Sequence, residues 1–223
     1  MTNPLIVALD VPTVEEASAL AKRIGDAAGA FKIGLELFGA YGPESVRAVD
    51  GPVFLDLKLH DIPTTVHRAM QSIAPLAPAM ITVHALGGRA MLEAAASAKP
   101  SGTILLGVTV LTSMSDQDLF EVGLPPAGEA VPALASLAHE AGCDGIVCAP
   151  ADLIRVREML PKPFIVVTPG VRPAGADRDD QARAMTPARA IEAGADYLVV
   201  GRPITRASDP RAAAESIVAE ASQ

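Results

Sequence analysis

Short apolar runs rich in β-branched residues recur along the chain, separated by longer Ala-rich stretches with helical spacing. Eight runs read as strands: Leu5 to Leu9, Ala30 to Ile33, Val53 to Leu57, Met80 to His84, Ile104 to Val110, Gly145 to Cys148, Phe164 to Thr168 and Tyr197 to Val200. Each is nearly continuous in apolar residues instead of alternating, the pattern of a strand covered on both faces in a parallel sheet. The segments between them carry helix punctuation. Thr13 followed by Glu16 has the spacing of a capping box, and Gly25 closes that first helix. Further helices are predicted over about Glu36 to Val49, Thr64 to Ala74, Gly88 to Ser97, Ala130 to Ala141, Ala151 to Leu160, Pro187 to Ala193 and Pro210 to Ala221.

Strand then helix, eight times over, predicts the α/β class and a single-domain (β/α)8 TIM barrel spanning residues 1–223. No Pro/Gly/Ser linker or charge run offers a place for a second domain to begin. A doubly wound open sheet is the competing architecture. It leads one to expect a Gly-rich turn after the first strand, whereas Asp10-Val11-Pro12-Thr13 stands there, so the dinucleotide fingerprint is missing. In a barrel, polar residues at the strand ends gather at one face and form the active site.

Half of the 223 residues are hydrophobic and a fifth are charged, which excludes a disordered or fibrous chain. Aromatic residues make up only 3% with no Trp, and the net charge is −8, so neither stacking platforms nor a basic face for nucleic acid are expected. Met1 to Asp10 lacks a basic leader region, and the longest apolar stretch, Thr103 to Leu111, is far short of a membrane span. No membrane association is expected. Cys143 and Cys148 lack the spacing of a zinc site or a disulfide framework and read as packed thiols in a reducing cytoplasm.

The most informative stretch runs from Phe54 to Pro63. Residues two apart in a strand point to the same side, so Asp56 and Lys58 would face the barrel interior while Leu55 and Leu57 face the helices. Burying two charges costs several kcal/mol per ion before their attraction is counted, and a plain structural position is filled more cheaply by Val or Leu. An interior salt bridge remains the bland alternative for this pair alone. Asp10 ends the first strand and Lys32 lies within the second, so four ionisable residues of alternating sign converge from three consecutive strands. Such an array suits electrostatic stabilisation and proton delivery by Lys. A metal is not expected, since the interleaved lysines repel a cation.

The other end of the chain supplies an anion site. Pro169-Gly170-Val171-Arg172 follows the seventh strand and Gly201-Arg202 the eighth, the two loops that commonly hold phosphate in these barrels. The implied ligand is a phosphorylated small molecule. His60 and His84 read as structural histidines at strand ends.

These residues resemble a known family. Val7-Ala8-Leu9-Asp10, Phe31-Lys32-Ile33-Gly34, Asp56-Leu57-Lys58-Leu59-His60-Asp61-Ile62-Pro63-Thr64-Thr65, Leu111-Thr112-Ser113, Pro169-Gly170-Val171-Arg172 and Val200-Gly201-Arg202 are similar to the orotidine 5′-phosphate decarboxylases of bacterial type. The resemblance extends from Asp10 to Arg202. A sister family, the metal-dependent keto-gulonate-phosphate decarboxylases and hexulose-phosphate synthases, shares Asp-x-Lys-x-x-Asp but places an acid on the second strand, where this chain has Lys32.

The resemblance implies decarboxylation of orotidine 5′-phosphate to UMP and CO2, without cofactor or metal, in the cytoplasm. It further implies that Lys58 donates a proton to C6, that Asp56 lies near the departing carboxylate, and that Lys32 and Asp10 bind the ribose hydroxyls and position the charges. Asp61, Ile62 and Thr65 are implied to enter the neighbouring subunit's site, making a homodimer with shared active sites. Thr112, Gln181, Arg172, Gly201 and Arg202 match substrate contacts. Gln181 would bridge pyrimidine and phosphate, and the last three would lie near the phosphate. Ser113 and Ser115 are both candidates for the pyrimidine contact. Two other classes stay open on the residues: a different phosphosugar enzyme on the same barrel, and a non-catalytic phosphate-binding protein, which has no need of a buried Asp-Lys array.

Overall fold

Strands that are apolar on both faces need cover on both, and the chain supplies it by closing its sheet on itself. In the computed structural model, which describes residues 3–172 and 185–222, the strands are β1 (Leu5–Ala8), β2 (Ala30–Ile33), β3 (Val53–Leu59), β4 (Met80–His84), β5 (Ile104–Val108), β6 (Gly145–Val147), β7 (Ile165–Pro169) and β8 (Tyr197–Val200). Each pairs in parallel with the next, and β8 returns to β1 through Leu5 opposite Leu198, closing the barrel. Helices outside the barrel connect the strands, so the expected (β/α)8 architecture is the one observed.

The two faces of each strand enter different packing layers. Ile6, Ala8, Ala30, Phe54, Met80, Leu106, Val167, Tyr197 and Val199 fill the barrel interior as one apolar cluster. Their chain neighbours, among them Val7, Phe31, Leu55, Ile81, Leu105 and Leu198, pack outward against the helices in a second and larger cluster. Full burial of each such Leu or Ile contributes about 1.5–3 kcal/mol. Leu55 and Leu57 belong to this outer layer, as the alternation of β3 predicts.

Local signals explain most boundaries. The Thr13 hydroxyl accepts the Glu16 N–H at 3.3 Å, and Gly25, at φ 58°, ends the helix Val14–Ile24. The single helix expected over Glu36 to Val49 is instead two, Leu35–Tyr41 and Pro43–Arg47. Gly42 takes φ 54° between them, and Pro43, with no N–H to continue the first helix, starts the second. Two short helices, Asp116–Glu121 and Arg202–Thr205, arise where sequence periodicity predicts only loops.

The face where the strands begin is fastened by carboxylates. Asp144, just before β6, accepts the Leu105 N–H of β5 at 2.7 Å and binds the Lys99 ammonium with both oxygens. Asp196, just before β8, accepts the Val166 N–H of β7 at 2.8 Å and pairs with Arg157, whose guanidinium also reaches the carbonyls of Gly194 and Phe164. Each acid thereby satisfies a strand-edge donor of its neighbour that would otherwise be orphaned. Cys143 and Cys148 are free and buried, and burial pushes both thiols up to about 12, so they act as packing groups.

Candidate active site

Moving up the interior face of β2, β3 and β4, side chains pass from apolar to charged or polar: Ala30 to Lys32, Phe54 to Asp56 and Lys58, Met80 to Thr82 and His84. The register of Lys32 opposite Phe54 sets the lysine just below the Asp56 level, and the parallel pairing of β1 with β2 brings Asp10, at the end of β1, alongside. The four expected ionisable groups do converge. Lys32 Nζ lies 3.0 Å from Asp10 Oδ1 and 3.8 Å from Asp56 Oδ2, and Lys58 Nζ lies 2.9 Å from both Asp56 oxygens. Charge alternates along the line Asp10, Lys32, Asp56, Lys58, and its solvent exposure falls from 61% at the Asp10 side chain to 12% and 13% at the central pair. Central burial makes these contacts stronger than surface ion pairs and removes the water that would otherwise screen a bound ligand.

The chain takes an unusual path to present Lys58. Leu55 pairs with Ile81 and Leu59 with Val83, so four steps along β3 match two along β4, a bulge. Within it Lys58 has φ 49°, the left-handed region that costs a side-chain-bearing residue roughly 1–2 kcal/mol. The Lys58 N–H, displaced from the regular ladder, donates to the Thr82 hydroxyl at 2.8 Å, and that hydroxyl donates to Asp56 Oδ1 at 2.9 Å. Backbone strain of this kind gathers at functional sites.

Two participants escape the sequence reading. Thr82 is fully buried in an apolar strand, where threonine's β-propensity gives it an ordinary reason to occur. Gly34 follows Lys32 by two residues, and a Cβ there would come within 3.1 Å of Lys32 Nζ and 3.4 Å of Asp10 Oδ1, so any side chain would crowd that ion pair and push the lysine tip by a few tenths of an ångström. The Lys-Ile-Gly triplet carried the signal for Gly34. Thr82 had none beyond polarity.

The other expected residues follow later strands in the chain. Arg172 follows β7, with its backbone N–H donated to the Met185 carbonyl, and Gly201 and Arg202 follow β8. A Cβ on Gly201 would lie 3.5 Å from Ala8 Cβ and 3.9 Å from Asp10 Oδ2, so the start of the segment after β8 lies beside the Asp10 end of the charge line. Gln181 lies outside the described residues. Thr112 and Ser113 are exposed just beyond β5. Ser115 caps the helix Asp116–Glu121: its hydroxyl and N–H both donate to the Asp118 carboxylate, holding that acid below its usual range.

Asp61, Ile62 and Thr65 are not drawn into the site. All three are exposed, Ile62 at 67%, and Asp61 Oδ1 accepts the Ile62 N–H at 2.7 Å. They stand on the outward turn into the helix Pro63–Ile73, beside a surface hollow of about 490 Å³ lined by His60, Asp61, Ile62, Pro63, Leu86 and Gly87. His60 and His84 stack with ring centroids 5.4 Å apart, and His84 accepts the Leu86 N–H. Burial, with His60 and Lys58 nearby, pushes His84 down to about 4, so it is neutral near pH 7. That fits a structural histidine.

Residues 3–217 match the family model described as Orotidine 5′-phosphate decarboxylase / HUMPS family. The chain is 52% identical to the orotidine 5′-phosphate decarboxylase of Thermobifida fusca, across 99% of this chain and 96% of that one. It is 50% identical to the enzyme of the same name from Moorella thermoacetica, covering 98% and 92%. The crystal structure of orotidine 5′-phosphate decarboxylase from Lactobacillus acidophilus superimposes with a TM-score of 0.87 at 39% identity, covering 99% of this chain and all of that one.

Proposed function

Because the chain belongs to the orotidine 5′-phosphate decarboxylase / HUMPS family and converts orotidine 5′-phosphate to UMP and CO2 in pyrimidine biosynthesis, we propose that Lys58 is the proton donor and that Asp10, Lys32 and Asp56 form the electrostatic frame around it. The observation that carries this reading is the alternating line of charges, with the Lys58 ammonium against both oxygens of the half-buried Asp56. Loss of CO2 breaks the C6–carboxylate bond and leaves its electron pair on C6. No cofactor delocalises that pair, so a preorganised cation must stand beside it. The Lys58 ammonium supplies the positive field and then its proton, and the neutral amine regains a proton from solvent. With the substrate's carboxylate set near Asp56, like charges favour the state in which one of them has left.

Lys32 and Asp10 hold the ribose hydroxyls in this reading, Gly201, Arg202 and Arg172 the phosphate, and Gln181 bridges phosphate and pyrimidine. Phosphate binding far from C6 supplies energy for loop closure over the ring. Ser113 and Thr112 take the pyrimidine side, because the Ser115 hydroxyl is already committed to Asp118. Asp61, Ile62 and Thr65 serve a second subunit. Their exposure and the hollow beside the apolar Ile62 side chain favour a homodimer in which each chain completes its partner's site. Residues 1–223 then act as one catalytic domain in the cytoplasm. Among the described residues no helix is long and apolar enough to cross a membrane.

The test follows the ultraviolet absorbance of orotidine 5′-phosphate mixed with the purified protein, with and without EDTA. Equal rates of substrate loss support a cofactor-free Lys58 mechanism. Loss of turnover in chelator would move the chemistry to a metal and overturn it.

A further inference from the structure

We infer that Thr82 is a positioning residue for the decarboxylation, acting through Lys58 and Asp56 rather than on the substrate. The inference rests on the roles proposed above for those two residues.

The argument begins with the bulge in β3. Between the Leu55 and Leu59 pairings, β4 contributes one residue, Thr82, against three on β3, Asp56, Leu57 and Lys58. Both polar members of that triplet bond to the same hydroxyl: the Lys58 N–H donates to it at 2.8 Å, and it donates to Asp56 Oδ1 at 2.9 Å. The single hydroxyl thus uses one lone pair and its only proton, and fixes two different things. One is the backbone of Lys58, held at φ 49° where a lysine would otherwise relax. The other is the plane of the Asp56 carboxylate, because Thr82 ties Oδ1 while Lys32 lies 3.8 Å from Oδ2 and Lys58 meets both oxygens.

The side chain is suited to such a clamp. Thr82 is fully buried, so no water competes for its hydroxyl, and its branched Cβ restricts χ1 more than serine's would be restricted. A valine has the same shape without the bonds. The expected consequence of losing the hydroxyl is a misplaced ammonium in an otherwise intact barrel, and a displacement of about 1 Å can reduce rate on the order of 10²-fold. Substrate affinity depends on groups at the other end of the site, so KM should barely move.

The experiment compares Thr82→Val, Thr82→Ser and Lys58→Ala with the wild type, reading kcat, KM and thermal midpoint. For Thr82→Val we expect kcat to fall by roughly 10- to 100-fold with KM within about threefold, and Thr82→Ser to recover most of the loss. A Thr82→Val enzyme with unchanged kcat, a loss expressed in KM, or a serine variant as impaired as the valine one at the same thermal midpoint would each overturn the inference. Should the valine variant fail to fold, Thr82→Ala removes the same hydroxyl without adding bulk and is judged by the same criteria. Lys58→Ala separates the two readings. Turnover surviving there refutes the donor assignment itself, whereas an inactive Lys58→Ala beside an unimpaired Thr82→Val refutes only the role of Thr82.

Discussion

Lys58 Nζ lies 2.9 Å from both oxygens of Asp56, while Lys32 stands 3.8 Å from the same carboxylate on its other side. Asp56 therefore keeps a cationic neighbour when Lys58 is removed, and is not left as an unpaired buried charge. Lys58→Ala is expected to fold and to bind UMP, yet to lose decarboxylation by roughly 10²- to 10⁴-fold or more. Titration calorimetry with UMP and the absorbance assay check both halves, and near-native turnover would remove Lys58 from the chemistry.

Arg202 follows β8 at the start of the helix Arg202–Thr205, next to Gly201, which lies near Ala8 and Asp10. If it grips the phosphate, Arg202→Ala raises KM strongly, lowers kcat/KM by about 10²-fold or more, and matters far less for orotidine itself, which lacks the phosphate. Steady-state kinetics on the two substrates decide the matter. An equal loss on both would place Arg202 elsewhere.

The exposed Asp61 predicts complementation between subunits. Lys58→Ala and Asp61→Ala proteins, each inactive alone, should regain activity when mixed, because a heterodimer contains one site free of both changes. The expected recovery is about a quarter of wild-type activity per total site at full exchange of equal amounts. Subunit exchange shown by mass spectrometry with no return of activity would confine Asp61 to its own chain.

His84 predicts an acid limb in the stability curve. Its folded pKa, pushed down to about 4, lies below the ordinary 6.5 of an unfolded chain, so the unfolded state binds the extra proton between those values. Stability from this group is therefore full above about pH 6.5 and declines as pH falls toward 4, by up to about 3 kcal/mol. His84→Asn should flatten that decline in urea melts taken across the range. A slope identical to wild type would mean the histidine is not held neutral.

How far the sequence foretold all this can be judged residue by residue. The strands were legible because burial on both faces leaves a continuous apolar run, and Asp56 with Lys58 was legible because charge in such a run has no structural excuse. The helix break at Gly42 was written in a Gly-Pro pair but masked by apolar spacing that continues across it. The bulge at Lys58 could not be read, since a lysine gives no sign of left-handed backbone, and Thr82 was hidden because threonine belongs in strands anyway. Asp61, which the resemblance implies enters a neighbouring subunit's site, is exposed on the turn before Pro63. Whether that turn meets a second chain is a matter of assembly, of which a single chain's pattern carries only the exposed Ile62.

The left-handed backbone at Lys58 sets two kinds of selection against each other at one position. On conformational grounds the site favours glycine, which would relieve roughly 1 kcal/mol or more of strain, while turnover as proposed here requires an ammonium. Lys58→Gly should then melt higher than Lys58→Ala, a comparison that differential scanning calorimetry can make with both proteins inactive. A lineage released from the need for UMP synthesis would no longer be held to lysine at a position whose backbone favours glycine, and the barrel could outlive its chemistry.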